Sequence, residues 1–297
     1  MNPAVSIQLC TYNRAHLLPR VLEACFDQTV ARGAFEVVLV DDGSSDETPS
    51  VIEEAKARAR VAFTAVSQAN WGLARARNAG IAACRGERII SIDDDVLPMP
   101  NFVEEHLRAA KRGHDLVVRG GVIEVESFDR LPPPFWTFRN YSANWFWTSN
   151  VSVSRRSLDE VRLGDGIWFD EEFSEYGWED IELGLRLRES GVRGVFNKDA
   201  IAFHYKPKSA GKRNVEDVLL QKRAQARTAR VLTRRHPGWR VRLATGDNLV
   251  QRGMHRLSRA LQLQRGWNAA LDNPKFHRIA LAALASDAYF DELDRER

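Results

Sequence analysis

Four short apolar runs in the first 92 residues alternate with helix-forming stretches, and this alternation constrains the fold more than any other feature of the sequence. Near-continuous apolar runs are typical of strands buried on both faces of a parallel sheet, and here they occupy residues 5–9, 35–40, 61–66 and 89–92. The stretches between them predict helices at about 16–29, 48–59 and 72–84. Repeated strand–helix units predict an α/β fold with helices on both faces of the sheet. Ligands of such folds bind at the carboxyl ends of the strands.

Three consecutive aspartates, Asp93, Asp94 and Asp95, follow the fourth apolar run. Carboxylates this close repel one another unless a cation lies among them. Mg²⁺ and Mn²⁺ prefer oxygen ligands and often bridge a carboxylate to the phosphates of a substrate. A solvated acidic turn is the alternative interpretation of these three residues alone, so the prediction of a cation site depends on the further motifs described below.

The C-terminal third differs from the rest of the chain in charge. Residues 206–265 contain 16 Lys and Arg but three Asp and Glu, although the net charge of the 297 residues is only +3. We therefore place a domain boundary near residue 205 and predict a basic helical region at 206–297, with breaks near Pro237 and Asn273. Such a region predicts contact with an anionic partner, and solvated helix faces are the alternative.

The sequence also indicates where the protein acts. Three cysteines without metal-type spacing argue against a disulfide framework, and we find neither a signal peptide nor a run of about 18 apolar residues. These features predict a cytoplasmic protein. The basic region adds the expectation of peripheral contact with anionic headgroups at the inner face of the membrane, or of packing in an oligomer. No nucleic-acid-binding module accompanies the charge, so nucleic acid is not expected as a partner.

Five motifs give the chain a specific resemblance, and they follow one another at residues 6–14, 40–48, 72–80, 93–95 and 177–183. In this order they resemble the inverting nucleotide-sugar glycosyltransferases of family 2, which have the GT-A fold, a Rossmann-like mixed sheet flanked by helices. The resemblance covers about residues 5–205, and implies a nucleotide-binding half at about 1–100 and an acceptor half at about 101–205. The basic region has no part in it and forms a C-terminal helical extension.

The resemblance implies that the nucleotide-sugar donor is bound by residues at strand ends and in the third motif. These residues are Thr11, Tyr12, Arg14, Asp42, Arg77, Asp93 and Asp94. It implies that Asp42 contacts the base, although a turn capped by this aspartate is the alternative. Arg77 offers a guanidinium fork suited to phosphate. Asp95 and His204 are the implied ligands of Mn²⁺ or Mg²⁺, with the register inside the aspartate run open by one residue.

The acceptor side is expected around the fifth motif. Transfer with inversion needs a base that takes the proton of the acceptor hydroxyl, and the resemblance favours Asp180, with Glu182 as the fallback. Capping of a helix start is the alternative for Glu179 and Asp180. Glu179, Trp178 and Trp147 are expected to contact the acceptor. Trp147 closes an aromatic stretch that also contains Phe135, Trp136, Phe138, Tyr141, Trp145 and Phe146.

Together these features predict a metal-dependent inverting glycosyltransferase that uses a nucleoside-diphosphate sugar, with UDP as the preferred nucleotide. The acceptor is expected to be a saccharide, a lipid-linked glycan or a small molecule, in glycan or glycoconjugate biosynthesis. Two alternatives remain open from the sequence: a nucleotidyltransferase, which usually has a glycine-rich basic loop after the first strand, and a non-catalytic binding module of the same fold.

Overall fold

The computed structural model describes residues 3–113, 115–137, 145–207, 214–273 and 275–295. The chain divides into two compact units. The first, here called the sheet unit, comprises Met1–Glu171 and Asp180–Pro207; the second, the helical unit, comprises Glu172–Glu179 and Lys208–Arg297. The segment that precedes Asp180 thus belongs to the helical unit, while Asp180 itself belongs to the sheet unit.

The first half of the sheet unit alternates strands and helices as predicted. Its elements are β1 (Val5–Thr11), α1 (Leu18–Phe26), a short 3₁₀ helix (Arg32–Ala34), β2 (Phe35–Asp41), α2 (Thr48–Arg58), β3 (Ala62–Ser67), α3 (Leu73–Ala83) and β4 (Arg88–Ser91). These four strands are parallel in the order β3-β2-β1-β4. Proline in the first turn of α1 and of α2 suits a helix start, because those amides have no partner inside the helix.

The second half completes a mixed sheet. It contains β5 (Val96–Pro98), α4 (Phe102–Ala110), β6 (Leu116–Val125), β7 (Val151–Ser154), α5 (Arg155–Glu160), α6 (Glu179–Glu189) and β8 (Arg193–Tyr205). The eight strands run in the order β3-β2-β1-β4-β7-β6-β8-β5. Strand β8 is the longest of the eight, and its pairing with β6 shifts register between Gly120 and Gly121. Strand β5 pairs antiparallel with β8 and sets Val96 opposite His204.

Two hydrophobic clusters cover the two faces of the sheet. Alternate residues of one strand point to opposite faces, so Val37 and Leu39 of β2 join one cluster while Val38 joins the other. The first cluster includes side chains from α1 and α4, and the second includes side chains from α3, α5 and α6. The predicted α/β fold with helices on both faces of the sheet is confirmed.

The helical unit contains α7 (Val215–Arg235), α8 (Trp239–Ala244), α9 (Leu249–Ala260), α10 (Leu263–Ala270) and α11 (His277–Asp294). Helices α7 and α8 lie on either side of Pro237, as predicted, and the break between α10 and α11 includes Asn273. In one hydrophobic cluster of this unit, Ala226, Ala229 and Leu293 are buried together, with Trp178, Tyr289 and Phe290 packed against them. Among the described residues, none of the helices combines the length and the apolar character needed to cross a lipid bilayer.

Candidate active site at the carboxyl end of the sheet

The three aspartates form a turn between β4 and β5. The amide of Ile92 donates to the carbonyl of Gln8 in β1, and the amide of Val96 donates to the carbonyl of Asp93 across the turn. The turn therefore lies beside the end of β1, at the sheet edge where the two parallel strands finish. This is the edge at which sheets of this kind bind ligands.

Asp95, His204 and Arg14 meet in this turn. The Nε2 atom of His204 lies 3.3 Å from Oδ1 of Asp95, and Arg14 reaches within 3.9 Å of Oδ2 of Asp95 and 3.7 Å of Oδ1 of Asp94. The antiparallel pairing of β5 with β8 explains the first contact, since it sets His204 opposite the residue that follows Asp95. The Trp147 ring lies 6.3 Å from the His204 ring, centre to centre. Residues from four separate parts of the sequence thus converge here.

The neighbouring carboxyls Asp94 and Asp95 differ in acidity. Burial raises the pKa of Asp94 to about 7, although the charge of Arg14 and the hydroxyl of Thr11 act to lower it. Burial also acts to raise the pKa of Asp95, but the hydrogen bond and charge of His204 and the charge of Arg14 outweigh it, so this pKa falls below its usual value. Asp95 is therefore the carboxylate that stays ionised, as a cation ligand must.

The donor atoms of Asp95 and His204 fit a divalent cation as a pair. Two adjacent ligands of an octahedral ion with bond lengths of about 2.1 Å are about 3 Å apart, close to the observed 3.3 Å. Among the described residues, no group of three or more His, Cys, Asp and Glu side chains is arranged to hold a metal ion. An ion held here would need further oxygen ligands, such as the phosphates and waters that usually complete Mg²⁺ sites.

Asp93 contacts Ser149 and Arg77, and Arg77 in turn contacts Thr148; Ser149 and Thr148 were not predicted as site residues. The hydroxyl of Ser149 donates to Oδ2 of Asp93. Arg77 donates to Oγ1 of Thr148 at 2.6 Å and approaches Oδ1 of Asp93 at 3.5 Å. Arg77 is 5% exposed and its guanidinium lies 5.4 Å from the centre of the Phe169 ring. Thr148 and Ser149 directly follow Trp147, but small hydroxyl residues after an aromatic stretch give no sequence signal of their own.

A buried hydrogen-bond network fixes Asn150, the residue that follows Ser149. Asn150 donates to the carbonyls of Gly121 and Ala200 at 3.1 and 2.9 Å, and its Oδ1 lies 2.9 Å from Nε2 of His106. The Nδ1 atom of His106 lies 3.0 Å from the hydroxyl of Ser152. These partners assign the ring proton to Nε2. Burial lowers the pKa of His106 to about 3, against the Asn150 hydrogen bond, which acts to raise it; His106 is therefore neutral at pH 7.

Asp42 lies beside Thr11, and its carboxylate organises the loop before α3. The amide of Asp42 donates to the carbonyl of Thr11. Its side chain accepts hydrogen bonds from the amides of Trp71 and Gly72 at 3.1 and 3.0 Å and from the Gln68 side chain at 2.7 Å. The turn after β2 is capped instead by Asp41, whose Oδ1 accepts a hydrogen bond from the amide of Ser44 at 3.0 Å. Contact with a base stays a prediction.

Asn13 and Gly43 shape the neighbouring turn. The Oδ1 atom of Asn13 accepts from the amides of Ser45 and Asp46, which fixes the turn after β2 to the end of β1. Gly43 has a φ of +79°, and a Cβ atom there would lie 2.6 Å from the amide nitrogen of Asn70. The turn therefore requires glycine. Tyr12, also assigned to the donor, is exposed at the same strand end.

The predicted acceptor residues are distributed over both units. Asp180 is the second residue of α6, is partly exposed, and accepts a hydrogen bond from the amide of Ile181. The fallback base, Glu182, is buried and forms an ion pair with Arg186, with contacts of 2.8 and 3.0 Å to its Nε. That pairing engages Glu182 within α6. The assignment of Asp180 as base stays a prediction.

Trp178 and Glu179 belong to the helical unit. Trp178 has a φ of +74°, packs against the cluster of Ala226, Ala229 and Leu293, and donates from its indole nitrogen to the carbonyl of Gln225 at 3.0 Å. This geometry gives the ring an anchoring role in addition to any contact with an acceptor. Glu179 is buried. In the aromatic stretch, Phe146 is buried in the core, while Phe138 and Tyr141 lie outside the described residues.

Comparison with known proteins identifies the family of this chain. Residues 6–156, which include β1 to β7 and the whole aspartate turn, match the sequence model of a family described as "Glycosyl transferase family 2". The chain belongs to this family. The predicted family membership is confirmed, and with it the glycosyltransferase class at the level of the family.

Among curated relatives, the chain is similar to validoxylamine A glucosyltransferase of Streptomyces hygroscopicus subsp. jinggangensis (strain 5008). The two are 30% identical over an alignment of 254 positions. The alignment covers 73% of this chain and 59% of the relative. It is also similar to chondroitin synthase of Pasteurella multocida (strain Pm70), at 26% identity over 257 residues, which is 73% of this chain and 26% of the relative. This chain thus spans only part of the length of these two relatives.

Solved structures confirm the GT-A fold. The mannosyltransferase PcManGT from Pyrobaculum calidifontis, solved with GDP-Man and Mn²⁺, has a TM-score of 0.62 at 18% identity, with 100% of this chain and 89% of that chain covered. TarS residues 1–349 from S. aureus has a TM-score of 0.56 at 18% identity, with 99% and 90% covered. At these identities the likeness concerns the fold.

Proposed function

We propose that the chain transfers a sugar from a nucleoside-diphosphate sugar to an acceptor hydroxyl, with inversion and with the help of Mn²⁺ or Mg²⁺. The observation that carries the proposal is the convergence of Arg14, Asp94, Asp95 and His204 at the carboxyl end of β4, in a chain that belongs to glycosyl transferase family 2. A cluster of this composition suits a diphosphate, because it combines an ionised carboxylate, an imidazole and a guanidinium.

The donor is held by residues with separate roles. Asp95 and His204 would hold the divalent cation, which neutralises charge on the departing nucleoside diphosphate when it is bound. Arg14, partly exposed beside Asp94 and Asp95, can turn toward a phosphate as a charge-assisted donor. Thr11, Tyr12 and Asp42 would contact the nucleoside.

Arg77 and Asp93 act together on the other side of the turn. Because Arg77 is buried between Thr148 and Asp93, its first effect is to hold Asp93 and the Trp147 segment in position. Asp93 then contacts the ribose or a water on the cation, and Asp94 contacts the donor sugar. The carboxyl of Asp94 can accept a hydrogen bond from a sugar hydroxyl.

Asp180 is proposed as the base for the acceptor hydroxyl. It takes the proton as the hydroxyl oxygen bonds to the anomeric carbon, while the bond from that carbon to the diphosphate oxygen breaks on the opposite side. Trp147, Trp178 and Glu179 are the proposed acceptor contacts, and the Trp147 ring lies 6.3 Å from the ring of His204.

The donor and acceptor are proposed as classes. UDP-sugars are the first choice, and the Streptomyces relative at 30% identity is named as a glucosyltransferase, so UDP-glucose is the first donor to test. GDP-mannose and UDP-GlcNAc follow, since PcManGT was solved with GDP-Man and TarS residues 1–349 with UDP-GlcNAc. Saccharides, lipid-linked glycans and small-molecule alcohols are the acceptor classes.

The test measures donor binding and product formation in matched variants. Asp95→Asn removes one proposed cation ligand; Asp129→Asn is the control, because Asp129 is an exposed carboxylate paired only with Arg20 among the described residues. Calorimetry with UDP-sugars is expected to show binding tightened by Mn²⁺ in the wild type and in the control, and not in Asp95→Asn. Asp180→Asn is expected to retain binding but to lose about two orders of magnitude or more in transfer rate.

The products separate this proposal from its alternatives. Release of nucleoside diphosphate supports glycosyl transfer, whereas release of pyrophosphate would identify a nucleotidyltransferase. Donor binding without turnover of any acceptor, and without slow donor hydrolysis, would identify a binding module. Full activity in both Asp95→Asn and Asp180→Asn would refute the assignment of these residues.

A further inference from the structure

Helix α9 contacts the rest of the helical unit through its charged side. Three of its basic residues, Arg252, His255 and Arg259, lie one turn apart and meet acids of α11 and of the preceding loop. Arg252 pairs with Asp294 and, at 2.6 Å, with Asp247. His255 lies 3.2 Å from Asp287 and 3.0 Å from Asp291, and Arg259 also pairs with Asp291. Arg252 and His255 are buried.

The opposite side of α9 is apolar and exposed. Successive residues of a helix are rotated by about 100°, so Leu249, Val250, Met254, Leu257 and Leu261 fall on the side away from Arg252, His255 and Arg259. These five side chains are between 60% and 90% exposed. The usual arrangement of a surface helix, with its apolar side turned to the core, is therefore reversed in α9.

Exposed apolar side chains also occur on the helices that precede and follow α9 in the sequence. Trp239 and Leu243 of α8 are 71% and 58% exposed, and Leu263 at the start of α10 is also exposed. None of the described residues of α10 is buried. An exposed apolar patch of this extent on a protein surface usually marks an interaction site.

The charge of this region selects one class of partner. Residues 239–270 contain six Arg and a single acid, Asp247. Arg252 and Arg259 are used in the ion pairs with the acids above, while Arg240, Arg242, Arg256 and Arg265 form no ion pair with an acid in the part of the chain that the structure describes. A second copy of the chain would bring like charges together at this surface, whereas an anionic bilayer complements both the apolar side chains and the arginines.

We propose that α8, α9 and the start of α10 form a membrane-docking surface that binds the headgroup region of anionic lipids. The apolar side chains of α9, with Trp239 and Leu243, enter the boundary between headgroups and acyl chains, and the four arginines contact lipid phosphates. The acids of α11 hold the charged side of α9 inward and so keep its apolar side turned outward. This inference does not depend on the proposed transferase activity.

The test is flotation of the purified full chain with vesicles of phosphatidylcholine alone or with 30 mol% phosphatidylglycerol, a composition of about one anionic lipid in three. Binding to the anionic vesicles alone is expected. Leu257→Asp is expected to lower the bound fraction about tenfold, and Leu220→Asp, at an exposed leucine of α7, is the matched control with unchanged binding. Substitution of Arg240, Arg242 and Arg256 by Gln is expected to lower binding and to weaken its dependence on salt.

Tryptophan quenching by brominated lipid gives an independent readout. Quenching of the wild type is expected to lose a component in Trp239→Phe, but not in Trp71→Phe, which removes an exposed tryptophan of the sheet unit. Three outcomes would overturn the proposal: no binding to anionic vesicles, equal binding to neutral vesicles, or a dimer in light scattering that Leu257→Asp converts to a monomer. The last result would assign the surface to a second copy of the chain.

Discussion

The buried imidazole of His106 predicts a specific loss of stability in mild acid. Its pKa is about 3 in the folded protein and about 6.5 in an unfolded chain. Below pH 6.5 the unfolded state therefore takes up a proton that the folded state does not, and the free energy of unfolding falls until the pH reaches about 3. Integration from pH 7 to pH 5 gives a loss of about 2 kcal/mol from this residue.

The structure explains why the folded state does not accept the proton. The Nδ1 atom of His106 faces the hydroxyl of Ser152, which already accepts a hydrogen bond from Arg88 at 3.2 Å. A second ring proton would add charge near the buried Arg88 guanidinium, and the ring has no room for water because it is fully buried.

The assay compares the wild type with His106→Leu by urea unfolding at pH 7 and pH 5. At pH 7 the variant is expected to be less stable by about 2–4 kcal/mol, since Asn150 and Ser152 each lose a buried partner. At pH 5 the difference is expected to shrink by about 2 kcal/mol, because only the wild type carries the histidine that titrates on unfolding. A difference that stays constant between the two pH values, or a His106 proton resonance that titrates near pH 6, would refute this account.

Three further outcomes are expected. Asn78→Leu should lower stability by about 3–5 kcal/mol in urea unfolding, since Asn78 bonds the amides of Trp168 and Phe169 and the Phe169 carbonyl; a change below 1 kcal/mol would contradict this role. Glu36→Gln should destabilise the protein at pH 7, because hydrogen bonds from Ser6 and Arg85 outweigh burial and lower the pKa of Glu36. The difference in stability between wild type and variant should decrease as the pH falls below about 4.5 toward the folded-state pKa. A difference of unchanged size at pH 3 would refute a stabilising role of the ionised Glu36 carboxylate. Gly43→Ala should cost about 1–3 kcal/mol at its φ of +79° and weaken UDP binding in calorimetry, whereas Gly164→Ala, with nothing within 4 Å of its Cβ, should change neither.

Much of the sheet unit was predictable because its signals are local. The apolar runs predicted β1 to β4, and the ends of those strands located Thr11, Asp42 and the aspartate turn at one edge of the sheet. Parallel strands joined by helices must finish on the same side, so sequence order alone brings these residues close together.

The partners of the aspartates were harder to predict because they come from distant parts of the chain. His204 was predicted as a ligand by resemblance, but its position beside Asp95 results from the pairing of β5 with β8. Thr148 and Ser149 reach Arg77 and Asp93 because β7 pairs with β4 and so brings the end of the aromatic stretch to the turn. No local pattern encodes such pairings.

Two residue assignments depended on packing that composition does not specify. The acidic residues of α6 were equivalent by type, yet Arg186 pairs with Glu182 and leaves Asp180 at the helix start. Trp178 was predicted to face an acceptor, and the structure packs its ring on the core of the helical unit. Whether a side chain forms a structural ion pair or packs in a core depends on the neighbours that the fold brings into contact with it.

The sequence by itself determined the family, the α/β alternation, the aspartate turn and the basic character of the C-terminal region. Each of these features depends on consecutive residues or on a pattern that repeats over a short stretch of the chain. Only the tertiary structure decided which aspartate meets His204, which hydroxyls support Asp93, and that α9 turns its charged side inward to Asp287, Asp291 and Asp294. The physical reason is that acidity, ion pairing and exposure depend on neighbours in space, and those neighbours are 30 to 110 residues away along the chain.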